Sequence, residues 1–198
     1  MKESVVVING GVTFPTHEEY ILFLESCEFT LERFRNKDWK DTLVEKLPDK
    51  EVLLPKMPNS MNARYSEWKI WFEHIFPLLT DTVVLVGHSM GGIFLAKYLT
   101  ENTFPKAISS LHLVAAPYDT EFVEEFLGDF ELSGRVDFSY NNIGKIFLYQ
   151  SKDDTSVAYQ DVEKYKRDLP EAILRVFEDR GHFNQETFPE LIKDIKNN

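Results

Sequence analysis

Ser89, a set of aspartates (Asp119, Asp153 and Asp154) and His182 stand in this 198-residue chain at spacings that suit covalent chemistry. A serine hydroxyl is a poor nucleophile until a neighbouring base takes its proton. An imidazole base in turn needs a carboxylate to fix its tautomer and to stabilise the imidazolium that forms. Ser89 lies in Gly87-His88-Ser89-Met90-Gly91, directly behind the apolar run Val83-Val84-Leu85-Val86 and ahead of a helical pattern over 93–100. G-x-S-x-G between a strand and a helix is the form of a sharp turn that lifts the hydroxyl above the strand edge, and its strain demands small neighbours. The following helix aims free N–H groups and a positive dipole end at the place where an oxyanion would develop. The expected donors are the N–H of Met90 and one from Gly11 or Val12, in the glycine turn after the first strand. An idle serine in a glycine-rich turn is the competing reading, and the strand and helix on either side weigh against it.

Three carboxylates follow strands. Asp119 is trailed by Glu121, Glu124 and Glu125, a cluster of like charge that reads as a solvated helix start. Asp153 and Asp154 both follow the strand at 146–149, so only one can turn to His182 while the other faces solvent or caps the turn. His17, His74, His88 and His112 show no ligand spacing, so no metal is expected. The Asn9-Gly10-Gly11 turn lacks both G-x-G-x-x-G and a P-loop lysine, so no nucleotide cofactor is expected either. Cys27 reads as a small core hydrophobe.

The elements that must position these residues alternate. Strands are expected at 4–8, 51–54, 83–86, 110–115, 145–149 and 172–177. Between them lie helical patterns at 17–47 (in two pieces, with Phe34 and Trp39 on one apolar face), from 62 onward, at 93–100 and at 159–169, with a closing one at 186–195. Such alternation predicts an α/β fold, a mainly parallel sheet with helices on both faces in a three-layer sandwich, with ligands beyond the carboxyl ends of the strands. Ser89, Asp153, Asp154 and His182 all follow strands and gather at that edge. The segment 118–142, acidic and aromatic with Gly128 and Gly134 as breakers, is expected to form a cap or rim. Its Phe122, Phe126, Phe130, Phe138 and Tyr140 would then border an acyl pocket.

The length suits one domain over 1–198. A net charge of −11 argues against nucleic acid and anionic membrane surfaces as partners, because both are negatively charged. With one cysteine there is no internal disulfide, and no apolar run reaches the length of a leader core or membrane span, so the expected address is the cytoplasm.

The chain resembles the small α/β-hydrolase-fold serine hydrolases of the retinoblastoma-binding-protein-nine type. The resemblance is carried by the glycine turn after the first strand, Met57-Pro58-Asn59 with Ala63-Arg64 and Trp68, Gly87-His88-Ser89-Met90-Gly91, Ser151-Lys152-Asp153-Asp154, and Gly181-His182-Phe183. The elbow is common to all α/β-hydrolases, which carry Ser, Asp and His in this chain order; M-P-x-x-x-x-A-R-x-x-x-W is more particular to this group. The resemblance implies the fold, a Ser89–Asp154–His182 triad, no cofactor, and hydrolysis of small ester-like substrates. It favours Asp154 as the acid because Asp154 to Val157 matches D-x-x-V. Two features depart from the group: the segment 17–47 is longer, and Val157-Ala158 stands where a proline often follows the acid. A thioesterase or peptidase would use the same residues. A protein-interaction module on the same fold, with a protein partner and little catalytic role, is the alternative from another class.

Overall fold

β-branched residues dominate the first strand, and each of Ser4 to Ile8 is buried, as expected of a strand covered on both faces. The structure, a computed structural model, describes residues 2–31, 35, 37–122 and 126–197. Phe34, Glu124 and Glu125 lie outside the described residues. The strands are β1 (Ser4–Ile8), β2 (Glu51–Leu53), β3 (Thr82–His88), β4 (Ala107–Val114), β5 (Ile143–Ser151) and β6 (Ile173–Phe177). They form one sheet in the order β2-β1-β3-β4-β5-β6, and every neighbouring pair is parallel. The α-helices among the described residues are α1 (His17–Ser26), α2 (Trp39–Lys46), α3 (Tyr65–Glu73), α4 (Met90–Glu101), α5 (Tyr159–Asp168) and α6 (Pro189–Lys196).

Alternation along the strands divides the core in two. Val6, Ile8 and Leu85 point to one face and pack with Trp68 and Phe72 of α3, Phe94 of α4 and Tyr165 of α5. Val5, Val7, Val84 and Val86 point to the other, against Trp39 and Leu43 of α2 and Leu191 and Ile195 of α6. The three-layer sandwich follows. Helix α1 contributes no buried residue to either layer.

Two helix starts differ from the expected ones. Helix α3 starts at Tyr65 rather than 62, because the Asp129 carboxylate accepts the N–H groups of Tyr65 and Ser66 at 2.8 and 3.3 Å and so caps it from a distance. Helix α6 starts at Pro189, a residue suited to the first helical turn because it lacks an N–H. The aromatics of 118–142 split: Phe130 and Phe138 are buried with Leu127 and Val136, while Phe122, Phe126 and Tyr140 are exposed. No helix among the described residues is long and apolar enough to cross a membrane.

Candidate active site

The register aligns Ile8 with Gly87, His88 with Val114, Val114 with Tyr149, and Ser151 with Phe177. The loops after β1, β3, β5 and β6 therefore leave from one edge. Ser89 is the sharp turn between β3 and α4, with φ 55° and ψ −124°, a conformation that an L-residue adopts only when its surroundings force it. Its N–H donates to the Val114 carbonyl at 2.9 Å. The two elbow glycines make the turn possible. A Cβ on Gly91 would collide with the Ile8 carbonyl, and one on Gly87 would collide with the backbone of Gly91. Gly10 lies directly over the serine: a Cβ there would stand 3.2 Å from Ser89 Cβ and 3.6 Å from its Oγ.

Of the three carboxylates, Asp154 faces His182. The imidazole Nδ1–H donates to Asp154 Oδ2 at 2.9 Å and Oδ1 at 3.2 Å. The Asp154 side chain is fully buried, and that of His182 is 18% exposed. Asp154 also accepts the N–H groups of Ser156 and Val157 and the Gln150 amide, at 2.8, 3.1 and 3.3 Å. An ionised carboxylate can only accept, so Nδ1 carries the hydrogen and Nε2 keeps its lone pair.

Asp153 takes the other duty. It is exposed and accepts the Gly181 N–H at 2.9 Å and the Ser151 hydroxyl, which in turn accepts the Arg180 N–H at 2.9 Å. These bonds tie the loop before His182 to the end of β5, and they hold the Asp153 carboxyl below its ordinary value. Asp119 stands apart, ion-paired to Lys164 at 2.6 Å. The His182 turn is itself strained, with Gly181 at φ 50° and Phe183 at φ 55°. Trp39 of α2 anchors it from the other side. The indole N–H donates to the Phe183 carbonyl and the backbone N–H to the Gln185 carbonyl, both at 2.9 Å.

Ser89 and His182 line one cavity of about 430 Å³, together with Gly10, Gly11, Phe23, Met61 and Asn184. They share it without a mutual hydrogen bond, as catalytic pairs often do before substrate tightens them. Among the described residues, none of the lining comes from 118–142; Phe23 of α1 and Ser60 and Met61 stand at the rim instead. Of the two expected second donors to an oxyanion, Val12 is taken, because its N–H donates to the Ser60 carbonyl at 2.9 Å. That loses the Val12 alternative and leaves Gly11. The N–H groups of Gly11 and of Met90, at the first turn of α4, carry no partner among the described residues. The Met57–Trp68 stretch also finds a role here. Ala63 N–H donates to Val12 O at 2.8 Å, Arg64 Nη1 to Thr13 Oγ1 at 2.6 Å, and the Trp68 indole to Pro58 O at 2.8 Å. It holds the glycine turn in place over Ser89.

The remaining histidines separate by burial. His112 is stacked on Phe147 and bonded to Tyr149 and Ser110 inside the sheet, and burial lowers its pKa to about 3. His17 and His74 are exposed. No group of three His, Cys, Asp or Glu side chains among the described residues forms a metal-binding set.

Comparison with known proteins bears on the family and the fold. The family model described as serine hydrolase matches residues 31–190. The serine hydrolase RBBP9 of Rattus norvegicus is 27% identical over 198 residues, covering 98% of this chain and 94% of the relative. Among solved structures, the ydeN gene product of Bacillus subtilis superposes with a TM-score of 0.75 at 17% identity, over 98% of this chain and 97% of that one. A lipase-esterase related protein from Clostridium acetobutylicum gives a TM-score of 0.64 at 12% identity, over 99% and 94% of the two chains. At those identities the two structures speak for the fold.

Proposed function

The chain belongs to the serine hydrolase family, and from that premise we propose that it cleaves small ester-like substrates through an acyl-enzyme formed on Ser89. The observation that carries this reading is the pairing of the buried Asp154 carboxylate with Nδ1 of His182, which lines the cavity that also holds the strained Ser89. His182 Nε2 takes the proton of Ser89 Oγ as the oxygen attacks the acyl carbon. The imidazolium that forms is stabilised by Asp154. The charge that develops on the carbonyl oxygen is met by the N–H groups of Met90 and Gly11, and one such donor is worth about 3 kcal/mol of barrier. Collapse of the tetrahedral adduct breaks the ester C–O bond, and His182 returns the proton to the departing alcohol. Water then repeats the sequence on the acyl-serine, releasing the acid and restoring Ser89.

A second cavity, of about 310 Å³, shares Asn9, Gly10, Lys40 and Ser60 with the first and has Val7, Leu54, Pro55 and Met57 as its apolar wall. It gives one arm of a small ester a place beside the serine. The reading is tested with p-nitrophenyl esters of graded chain length and the matching thioesters. Turnover by the wild-type protein should fall on the order of 10⁴-fold or more in kcat on His182→Ala, as in serine-protease triads. Turnover untouched by that change would reject the reading.

A further inference from the structure

His88 occupies the elbow position before the serine, where its side chain makes no contact required by the turn itself. It is 4% exposed, and both ring nitrogens are engaged. Nδ1 lies 3.2 Å from the Lys40 ammonium, and Nε2 lies 2.8 Å from the backbone carbonyl of His182. An ammonium has only hydrogens to give, and a carbonyl has only lone pairs. Nδ1 is therefore the acceptor, and Nε2 carries the ring's single hydrogen and donates it to His182 O. A second proton on Nδ1 would set two donors face to face. Burial, with the Lys40 charge second, accordingly pushes His88 well below the ordinary histidine value.

Lys40 is 3% exposed, a position a lysine rarely occupies, and it is salt-bridged to Asp38 at 2.7 Å. Burial lowers its ammonium against the pull of Asp38 and Asp41. A buried cation is costly, and here it is directed at one acceptor. The charged and titratable groups that face His88 are thus Lys40, Asp38 and Asp41 from α2 and His182, with Asp154 behind it. Trp39, one residue before Lys40, bonds the next stretch of the same loop at Phe183 and Gln185.

We propose that Lys40 and His88 are positioning residues for His182: the Lys40 ammonium fixes His88 as its Nε2–H tautomer, and that hydrogen holds the backbone of His182. The proposal rests on the reading of His182 as the general base. Both line the Ser89 cavity, and neither hydrogen-bonds the Ser89 hydroxyl or the His182 imidazole. Their effect is to keep the imidazole between Asp154 and Ser89, where a displacement of 1 Å costs on the order of 10²-fold in rate.

The test has two independent readouts. In ester hydrolysis, Lys40→Met should lower kcat by roughly 10- to 100-fold, and Lys40→Arg, which keeps a donor-only cation, should restore most of it. In ¹⁵N-resolved NMR of the wild-type protein, His88 should appear as the Nε2–H tautomer and stay untitrated from pH 5 to 8. In Lys40→Met, with the ammonium no longer facing Nδ1, a population of the Nδ1–H tautomer should appear. Wild-type kcat in Lys40→Met, a loss confined to KM, or a wild-type His88 that is protonated or carries its hydrogen on Nδ1 would each overturn the proposal. Should Lys40→Met fail to fold, the wild-type NMR measurement decides alone. A wild-type protein with no turnover would instead remove the acyl-enzyme reading, and the positioning role with it, whatever the tautomer of His88.

Discussion

Asp154 and Asp153 are neighbours in the chain, yet one accepts the imidazole N–H and the other a single loop N–H and a hydroxyl. Asp154→Asn keeps the shape but puts an amide where only acceptors fit, and the imidazole loses the tautomer it needs. The expected cost is about 10³ to 10⁴ in kcat, as for the same change in serine proteases. Asp153→Asn and Asp119→Asn should each stay within roughly tenfold of wild type, about 1.4 kcal/mol of barrier. Steady-state kinetics on the three variants checks the order, and a crippling Asp119→Asn would contradict it. At this scale the sequence was legible where a motif fixes a turn, as at Ser89, and the family resemblance pointed to Asp154, the carboxylate that faces His182. It was not legible where a long-range partner decides. Nothing near Val12 announces that Ser60 takes its N–H. Likewise, nothing near Lys40, in the first turn of α2, announces the His88 ring beside it.

Helix α1, within the long 17–47 segment, supplies a rim residue of the cavity, and no described residue of 118–142 does. The cavity around Ser89 is bordered by Phe23 of α1 and by Met61, while Phe130 and Phe138 pack into the core. Phe23 itself leans on Phe14 with ring centroids 5.0 Å apart. Phe23→Ala should therefore shift the preference among p-nitrophenyl esters of different chain length, and Phe126→Ala or Phe122→Ala should not. The reverse pattern would return the rim to 118–142. Strand positions and the helices between them were readable because alternation and apolar runs are local signals. The direction of an aromatic in an irregular segment is set by what it meets after folding, so Phe130 and Phe122 look alike in sequence. The start of α3 was missed for the same kind of reason, since its cap comes from Asp129.

Across the whole molecule, Asp161 of α5 is a buried carboxyl that the proposed reaction does not use. It is 3% exposed, one of its oxygens has no partner, and burial together with Asp119 pushes its pKa up to about 7. In the unfolded chain the same group titrates near 4. Between about pH 4 and 7 the folded protein holds a proton that the unfolded chain has released, so this group's contribution to stability falls as pH rises through that window. Asp161→Asn cannot ionise, and relative to wild type it should gain up to about 4 kcal/mol between pH 4 and 7 and nothing further above. Urea unfolding at a series of pH values checks this, and a difference constant from pH 4 to 8 would contradict it. The central claim concerns one bond. Incubated with a fluorophosphonate, the wild-type protein should gain the mass of a single adduct, located by peptide mass spectrometry on Ser89 and absent in Ser89→Ala. An adduct on Cys27, or one that persists in Ser89→Ala, would contradict the account.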